Sequence, residues 1–480
     1  MKLRFAKVPA LAALALAGCA TPRAQPEVSP ISEPALGLAA QPAPDVNAAW
    51  WADLGDPQLD RIMQDALAGS PRLDAALARL REARSLVAAQ QSARLPQIGI
   101  DADEQRTRFS EKYIIPPSYG GSTRWTGQAA ANLGWNLDFW GRQADAVAQA
   151  KAGAEASALD YAAARLALTG AVAQTYVELA RTERLVAIAQ ANIGQRDKAL
   201  QLVRARVRSQ LASELDVRAA ETLQAQARQA LVQAQGQREL LVHALALLAG
   251  QGADYYAAIH PAAIRFDTAL ALPSVLPADL LSRRPDIMAA LARIDAAQAG
   301  REVARKAFYP DINLKALVGT QAIGLGNLFT SGAVTYEAGA AIHLPIFEGG
   351  KLHAGHEGAT ARLDQAVADY NETVLGAVRE AADALALVEY SRAELNEQRQ
   401  ALHGLAEVTR LNRVRVASGL DSRLDLVGPD IRLLEAQQNE ANLQAQTLVS
   451  AIRLTVAIGG GFDRNDPLAS APQPSSRPNP

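Results

Sequence analysis

The chain has a single cysteine, Cys19, so it holds no internal disulfide framework. After the first eighteen residues no apolar run is long enough for a spanning helix. That excludes helical passage through a bilayer but not a membrane barrel. Charge of one sign is not in excess either, with 48 Lys and Arg against 50 Asp and Glu. A polycationic face for nucleic acid is therefore excluded. The Gly-x-x-x-x-Gly-Lys-Ser/Thr phosphate cradle is missing, so a bound nucleotide is not the energy source. Proline is missing from Pro117 to Pro261, which leaves a long stretch free to be helical.

Signals for catalysis are also missing. Ser, His and Asp occur in no recognisable nucleophile context. His353 and His356 stand three apart with no further ligand cluster nearby, and read as a polar pair at a helix start. Gly324 and Gly326 read as turn material. No catalytic, cofactor-binding or metal-ligating residue is assigned, and the expectation is a protein that is not an enzyme.

What is present begins with the ends. Residues 1–18 carry Lys2, Arg4 and Lys7, then an apolar stretch, then small residues. This is the pattern of a secretory signal peptide. It ends at Leu16, Ala17 and Gly18, just before Cys19, whose thiol is placed to carry a thioether-linked lipid. That covalent lipid is the one non-protein group expected. Residues 19–49 are rich in Pro, Ala, Ser and Glu and read as a lipidated N-terminus followed by a flexible tether. Residues 463–480, with five prolines, read as a disordered tail.

Between these ends the chain is duplicated. PRLDAALAR at Pro71–Arg79 returns as PDIMAALAR at Pro285–Arg293. The order after each copy is also shared: proline, strand, loop, strand, then a very long alanine-rich helical stretch. A repeat of this kind dictates architecture. The first copy covers 50–261, with strands about 95–109 and 125–140 and a hairpin of helices about 142–249. The second covers 262–462, with strands about 311–321 and 333–347 and a hairpin about 351–456.

The strands alternate. Ala129, Ala131, Leu133, Trp135, Leu137 and Phe139 share one face, while Gln128, Asn132, Asn136 and Asp138 share the other. Ile98, Ile100 and Ala102 oppose Asp101 and Asp103. Ile312, Leu314, Ala316 and Val318 oppose Asn313 and Lys315. Val334, Tyr336, Ala338, Ala340, Ile342, Leu344 and Ile346 oppose Thr335, Glu337 and His343. A water-soluble sandwich would alternate equally well. Full charges on the polar face suit a wet lumen instead, and Trp125, Trp135 and Trp140 near the strand ends suit an aromatic belt. Four strands cannot close a barrel, and open edges are not tolerated in lipid. Two copies would supply eight strands and three copies twelve; helices that must also close into a tube favour three.

Stripes at Leu168, Val172, Tyr176 and Leu179, and at Val367, Val374, Ala377 and Ala381, mark helices of about 65 residues, roughly 100 Å long. A break near Asn192 to Gly194 remains open. The first hairpin turns at 209–213 and the second at 418–422, where Gly419 suits a left-handed helix end. Ser213 or Asp421 is positioned to cap the next helix, and Pro429 is expected to kink the second returning helix. Converging tips narrow a tube, so Asp216 and Asp425, just beyond the turns, are candidate gate carboxylates.

Several motifs in this order resemble the outer-membrane channel lipoproteins of tripartite efflux pumps, the TolC-like outer-membrane factors of the nodulation-protein-T type. They are Trp50–Leu59, Leu137–Arg142, Leu344–Gly350, the two tip motifs and Ile452–Gly461. The resemblance spans nearly the whole chain after Cys19. It implies a mainly α fold with a transmembrane β-barrel: a homotrimer with a twelve-stranded barrel and an α-helical periplasmic tunnel. It implies a passive exit duct in the bacterial outer membrane, served by a periplasmic adaptor protein and an inner-membrane pump of the resistance-nodulation-division type. Asp425 matches a family gate position. A second family acid is replaced by Gly428, with Asp430 as a partial substitute. Arg208, Ser209, Leu211, Ser418, Gly419, Leu420 and Ser422 correspond to the adaptor-docking set. Ala20, after Cys19, fits sorting to the outer membrane. An adhesive or structural lipoprotein with coiled-coil arms is the other class this sequence suits.

Overall fold

The computed structural model describes residues 24–38, 46–268, 270, 272, 273, 275 and 283–462. The signal peptide, Cys19 and the tail lie outside the described residues. The helices are α1 Pro57–Gly69, α2 Pro71–Ser92, α3 Arg142–Arg208, α4 Glu214–Leu248, α5 Pro285–Lys306, α6 Lys351–Ala417 and α7 Val427–Ala457. The strands are β1 Gln97–Arg108, β2 Thr123–Leu137, β3 Asp311–Ile323 and β4 Val334–His343. α3 and α6 each run 67 residues without interruption. Asn192 to Gly194 lies inside α3, so the break left open by the sequence does not occur. One interior glycine costs about 1 kcal/mol. The stripe of Val172, Tyr176 and Leu179, all fully buried, outweighs it.

The chain divides into two compact units. One comprises residues 1–30, 80–156 and 290–370, and holds the sheet. Its strands run antiparallel in the order β1-β2-β3-β4. Each face is continuous across all four. Ile100 lies opposite Ala131, Ala131 opposite Val318, and Val318 opposite Tyr336. The neighbouring rung is Gly99, Asn132, Leu317 and Glu337. β4 ends at His343, so Leu344 and Ile346 lie outside the strand expected to carry them, because Pro345 has no N–H to extend the ladder.

Beyond β2, the Asp138 carboxylate accepts the N–H groups of Gln143 and Ala144 at 2.9 and 2.8 Å and so caps α3. Phe139 and Trp140 are thereby placed in the turn after β2 rather than in the strand, and the Trp140 Nε1 donates to the Pro310 carbonyl at 2.9 Å. Arg142 pairs with Asp311 at 3.0 Å and Lys306 with Asp145 at 2.5 Å.

The second unit comprises residues 31–79, 157–289 and 371–480. Its core collects Trp50, Trp51, Leu54, Leu59, Ile62 and Met63 against Tyr176, Leu179, Leu245, Ile452 and Leu454. Each such aliphatic side chain contributes about 1.5–3 kcal/mol on burial. Asp56 is the polar node. One carboxylate oxygen caps α1 by accepting from the Gln58 N–H at 2.9 Å. The other accepts from the Tyr176 hydroxyl at 2.6 Å and from the Ala263 N–H at 2.7 Å. Burial, then the Asp56 carboxylate, pushes the Tyr176 hydroxyl pKa well up, so it remains a donor.

The roots of the two returning helices are built alike. Gly250 after α4 and Gly459 after α7 both adopt positive φ, 69° and 75°. A Cβ on Gly250 would lie 2.0 Å from the Gly69 carbonyl oxygen, and one on Gly459 would lie 2.2 Å from that of Arg283. Only glycine fits either place.

Candidate functional site

Two features hold the candidate residues: the sheet and the pair of hairpin tips. On the sheet, Ile98, Ile100, Tyr336 and Ile342 are exposed, Ile100 at 80 % and Tyr336 at 83 %. A sheet face normally buries such residues; this one leaves them open on β1 and β4, and Val318 of β3 is exposed between them. The opposite face carries Asp101, Asn132, Gln128, Gln321, Lys315 and Glu337, with Asn132 Nδ2 donating to Asp101 at 2.5 Å.

Trp125 and Trp135 lie on the apolar face near opposite ends of β2. The ten steps of strand from one to the other span about 33 Å, close to an apolar band of roughly 25 Å crossed at a barrel's tilt. The Arg106 guanidinium sits 5.8 Å from the Trp125 ring centre. Trp135 Nε1 donates to the Arg94 carbonyl at 2.9 Å. Both tryptophans keep their rings partly exposed, and Trp135 also satisfies its N–H, as an interface residue does.

The two tips share one geometry. At the first, the Leu211 N–H reaches the Arg206 carbonyl at 2.8 Å and the Gln210 N–H reaches that of Val207 at 2.9 Å. At the second, Leu420 reaches Arg415 at 2.9 Å and Gly419 reaches Val416 at 3.1 Å. These are paired Schellman bonds, with the left-handed residue at Gln210 (φ 59°) and Gly419 (φ 73°). Arg208, Ser209, Ser418 and Ser422 sit in or beside these turns. Leu211 and Leu420 are each 68 % exposed and Leu215 is 77 % exposed. The predicted docking residues are thus brought together at the tips, where no protein neighbour covers the leucines.

The acids behave differently from a bare ring of charges. The Asp216 carboxylate accepts the Ser213 N–H at 2.8 Å and the Ser213 hydroxyl at 2.9 Å. Asp425 takes the Ser422 N–H at 2.8 Å and the Ser422 hydroxyl at 2.7 Å. Each carboxylate is turned onto its own serine, as a capping box requires. The Ser213 N–H followed by its hydroxyl holds Asp216 below the usual carboxylate range. For Asp425 the Ser422 hydroxyl comes first and its N–H second, with a smaller contribution from the Arg206 cation.

Asp421 is not a helix cap. It pairs with Arg415 at 2.5 Å, which lowers its pKa, and Ser422 takes the capping position instead. Asp430 pairs with Arg413 at 2.7 Å, its side chain only 13 % exposed. Its counterpart in the first hairpin is Glu221, paired with Arg204 at 2.8 Å. Sequence reading missed this repeated clasp. The signal was available: both its members recur 209 residues apart.

Pro429 does not kink a helix. α7 starts at Val427, so Pro429 lies in the first turn, where a missing N–H costs little. A 3-10 turn, Arg423–Leu426, precedes it. An α-helix started earlier would drive the proline ring into the Asp425 carbonyl, four residues back.

Comparison with known proteins decides the assignment. The family described as outer membrane efflux protein matches residues 62–251 and 276–460. The chain belongs to that family. It is 32% identical over 417 residues to the solvent efflux pump outer membrane protein SrpC of Pseudomonas putida, covering 85% of this chain and 86% of that one. It is 35% identical over 314 residues to the fusaric acid resistance protein FusA of Burkholderia cepacia; the match spans 64% of this chain and 58% of the relative. The crystal structure of the outer membrane protein VceC of Vibrio cholerae superposes with a TM-score of 0.79 at 32% identity, over 87% of this chain and all of the other. The protein is therefore a helix-rich outer-membrane efflux channel, and its work is transport rather than catalysis.

Proposed function

We propose that three copies close their sheets into one twelve-stranded barrel and their long helices into a tunnel, forming the passive exit duct of a tripartite efflux system. The observation that carries this is the sheet itself. β1 and β4 are edge strands, and the apolar face is in register across all four, exposed on the two edge strands and at Trp125, Trp135 and Val318 between them. Unpaired strand edges cost several kcal/mol per group in hydrocarbon, so edge must meet edge. In this reading the polar face lines the lumen, and Trp125, Trp135 and Trp140 meet the headgroups. Residues 1–18 are removed and Cys19 carries the lipid. The tips, through Leu211, Leu420 and the residues around them, dock a periplasmic adaptor, and the adaptor joins an inner-membrane pump of the resistance-nodulation-division type. Small toxic solutes of the kinds for which SrpC and FusA are named, solvents and an aromatic acid, are the proposed cargo.

Asp216, Asp425 and Asp430 would close the periplasmic gate by holding the tips in shape, through capping and clasp, as much as through their charge. The test is direct. Native mass measurement in detergent should give a trimer, and a stable monomer would remove the shared barrel. In planar bilayers Asp425→Ala should raise the conductance of the closed channel several-fold. A channel that stays silent with that tip loosened would count against a duct.

A further inference from the structure

The segment expected to be a loose tether is held. Residues 24–32 contain neither helix nor strand, yet their backbone polar groups have chosen partners. The Asp364 Oδ1 of α6 accepts two adjacent backbone N–H groups, Glu27 at 2.9 Å and Val28 at 3.1 Å. Arg301 of α5 donates to the Ala24 carbonyl at 3.3 Å and, through Nε, to the Thr360 hydroxyl of α6 at 3.2 Å. Further along, the Ile31 N–H donates to Asn371 at 2.9 Å. Bonds from N–H groups to a carboxylate are charge-assisted and stronger than neutral ones.

The sequence prepares the segment for this. Pro26 and Pro30 have no N–H to leave unsatisfied, and they keep themselves and their preceding residues extended. Docking therefore costs less chain entropy than it would for a flexible stretch. The direction is also set: Ala24 lies by Thr360 and Glu27 by Asp364, so the segment runs with α6, and its N-terminal side points toward Lys351, where α6 begins after β4.

We propose that residues 24–31 are a strap docked on α6, and that it fixes how far Cys19 can stand from the foot of the sheet. The second half of this rests on the reading of Cys19 as lipid-bearing. Ala24 is the fifth residue after Cys19, a reach of at most about 17 Å. From Thr360 back to the first residue of α6 is nine residues, about 14 Å of helix. On that reckoning the anchor just reaches the level of Lys351, where α6 begins after β4. An undocked chain from Cys19 to Trp50 would allow roughly 100 Å of travel. The strap turns a long leash into a spacer with a few ångströms of slack.

Amide exchange in proteoliposomes tests this on the full-length mature protein. Glu27 and Val28 should exchange at least about ten-fold slower than an unstructured peptide. Asp364→Ala should abolish that protection, Asp364→Asn, which keeps an acceptor, should retain much of it, and Asn371→Ala should expose Ile31 alone. Exchange at unstructured rates in the parent protein, or indifference to Asp364→Ala, overturns the strap.

The coupling to the anchor is read by deleting residues 21–23. Ala20 alone then lies between Cys19 and Ala24, two steps of about 7 Å in all, which is too short. The lipidated deletion should lose protection at Glu27 and Val28, and the same deletion with Cys19→Ala should keep it. Protection that survives in the lipidated deletion overturns the spacer role. The mass of the N-terminal peptide reports the lipid separately: protection without lipid leaves the docked strap standing while the anchor reading fails.

Discussion

At the first tip Gln210 takes the left-handed position; at the second Gly419 takes it. The turn bonds, the Ser-to-Asp capping box and the Arg-to-acid clasp are otherwise the same construction used twice. The residues around them have diverged. Ala212 corresponds to Asp421, which pairs with Arg415, and Ala219-Ala220 to Gly428-Pro429. The first returning helix starts at Glu214 directly, while the second enters through a 3-10 turn. Duplication preserved the geometry of the tip; substitution changed how firmly each copy holds it. The second tip has an unstrained turn residue and an extra ion pair but a broken helix start.

Exchanging the diverged residues should produce the largest effect at the proline. Ala220 is the seventh residue of α4, so Ala220→Pro should cost about 3 kcal/mol or more in local stability. Pro429→Ala, in the first turn of α7, should change it by less than about 1 kcal/mol. Amide exchange along the two returning helices measures both, and equal effects would break the distinction. A smaller effect is expected at the left-handed residue. Gly419→Gln should cost about 1 kcal/mol, while Gln210→Gly should stabilise the first tip by up to about 1 kcal/mol. The protected Leu420 and Leu211 amides report each.

Acid should loosen both tips most gently. Asp216, Asp421 and Asp425 have folded pKa values below their ordinary ones. The stability they contribute is therefore present at neutral pH and is lost as pH falls from about 4 through those depressed values. The second tip should loosen more, because the Arg415 pair is lost together with the cap. Exchange corrected for its intrinsic pH dependence checks the order; a first tip that loosens more sharply would reverse the comparison.

The strands were legible because a half-exposed sheet writes its two environments into alternate residues. Ile98, Ile100 and Ala102 on one face of β1 need no tertiary information. Strand ends depended on capping and proline placement, which is why Trp140 falls in a turn and β4 stops at His343. The acids at the tips were legible as residues but not as partners. Ser213-x-x-Asp216 and Ser422-x-x-Asp425 already have the spacing of a capping box, and that spacing points the carboxylate inward to the turn. The Arg413–Asp430 clasp was beyond local reading, because its members lie 17 residues apart on opposite arms of a hairpin.

By itself the sequence determined the duplication, the face each strand residue takes and the family, because all of these follow from periodicity and local motif. Only the tertiary structure decided which groups face one another. It matched the four strands rung by rung, turned Asp425 onto Ser422, closed the clasp at Asp430, and placed Glu27 and Val28 on Asp364. Residues 337 positions apart in the chain meet in that last contact. No local pattern encodes such a pair; it exists only once α6 has formed and offers a carboxylate to an extended segment that still needs acceptors for its N–H groups.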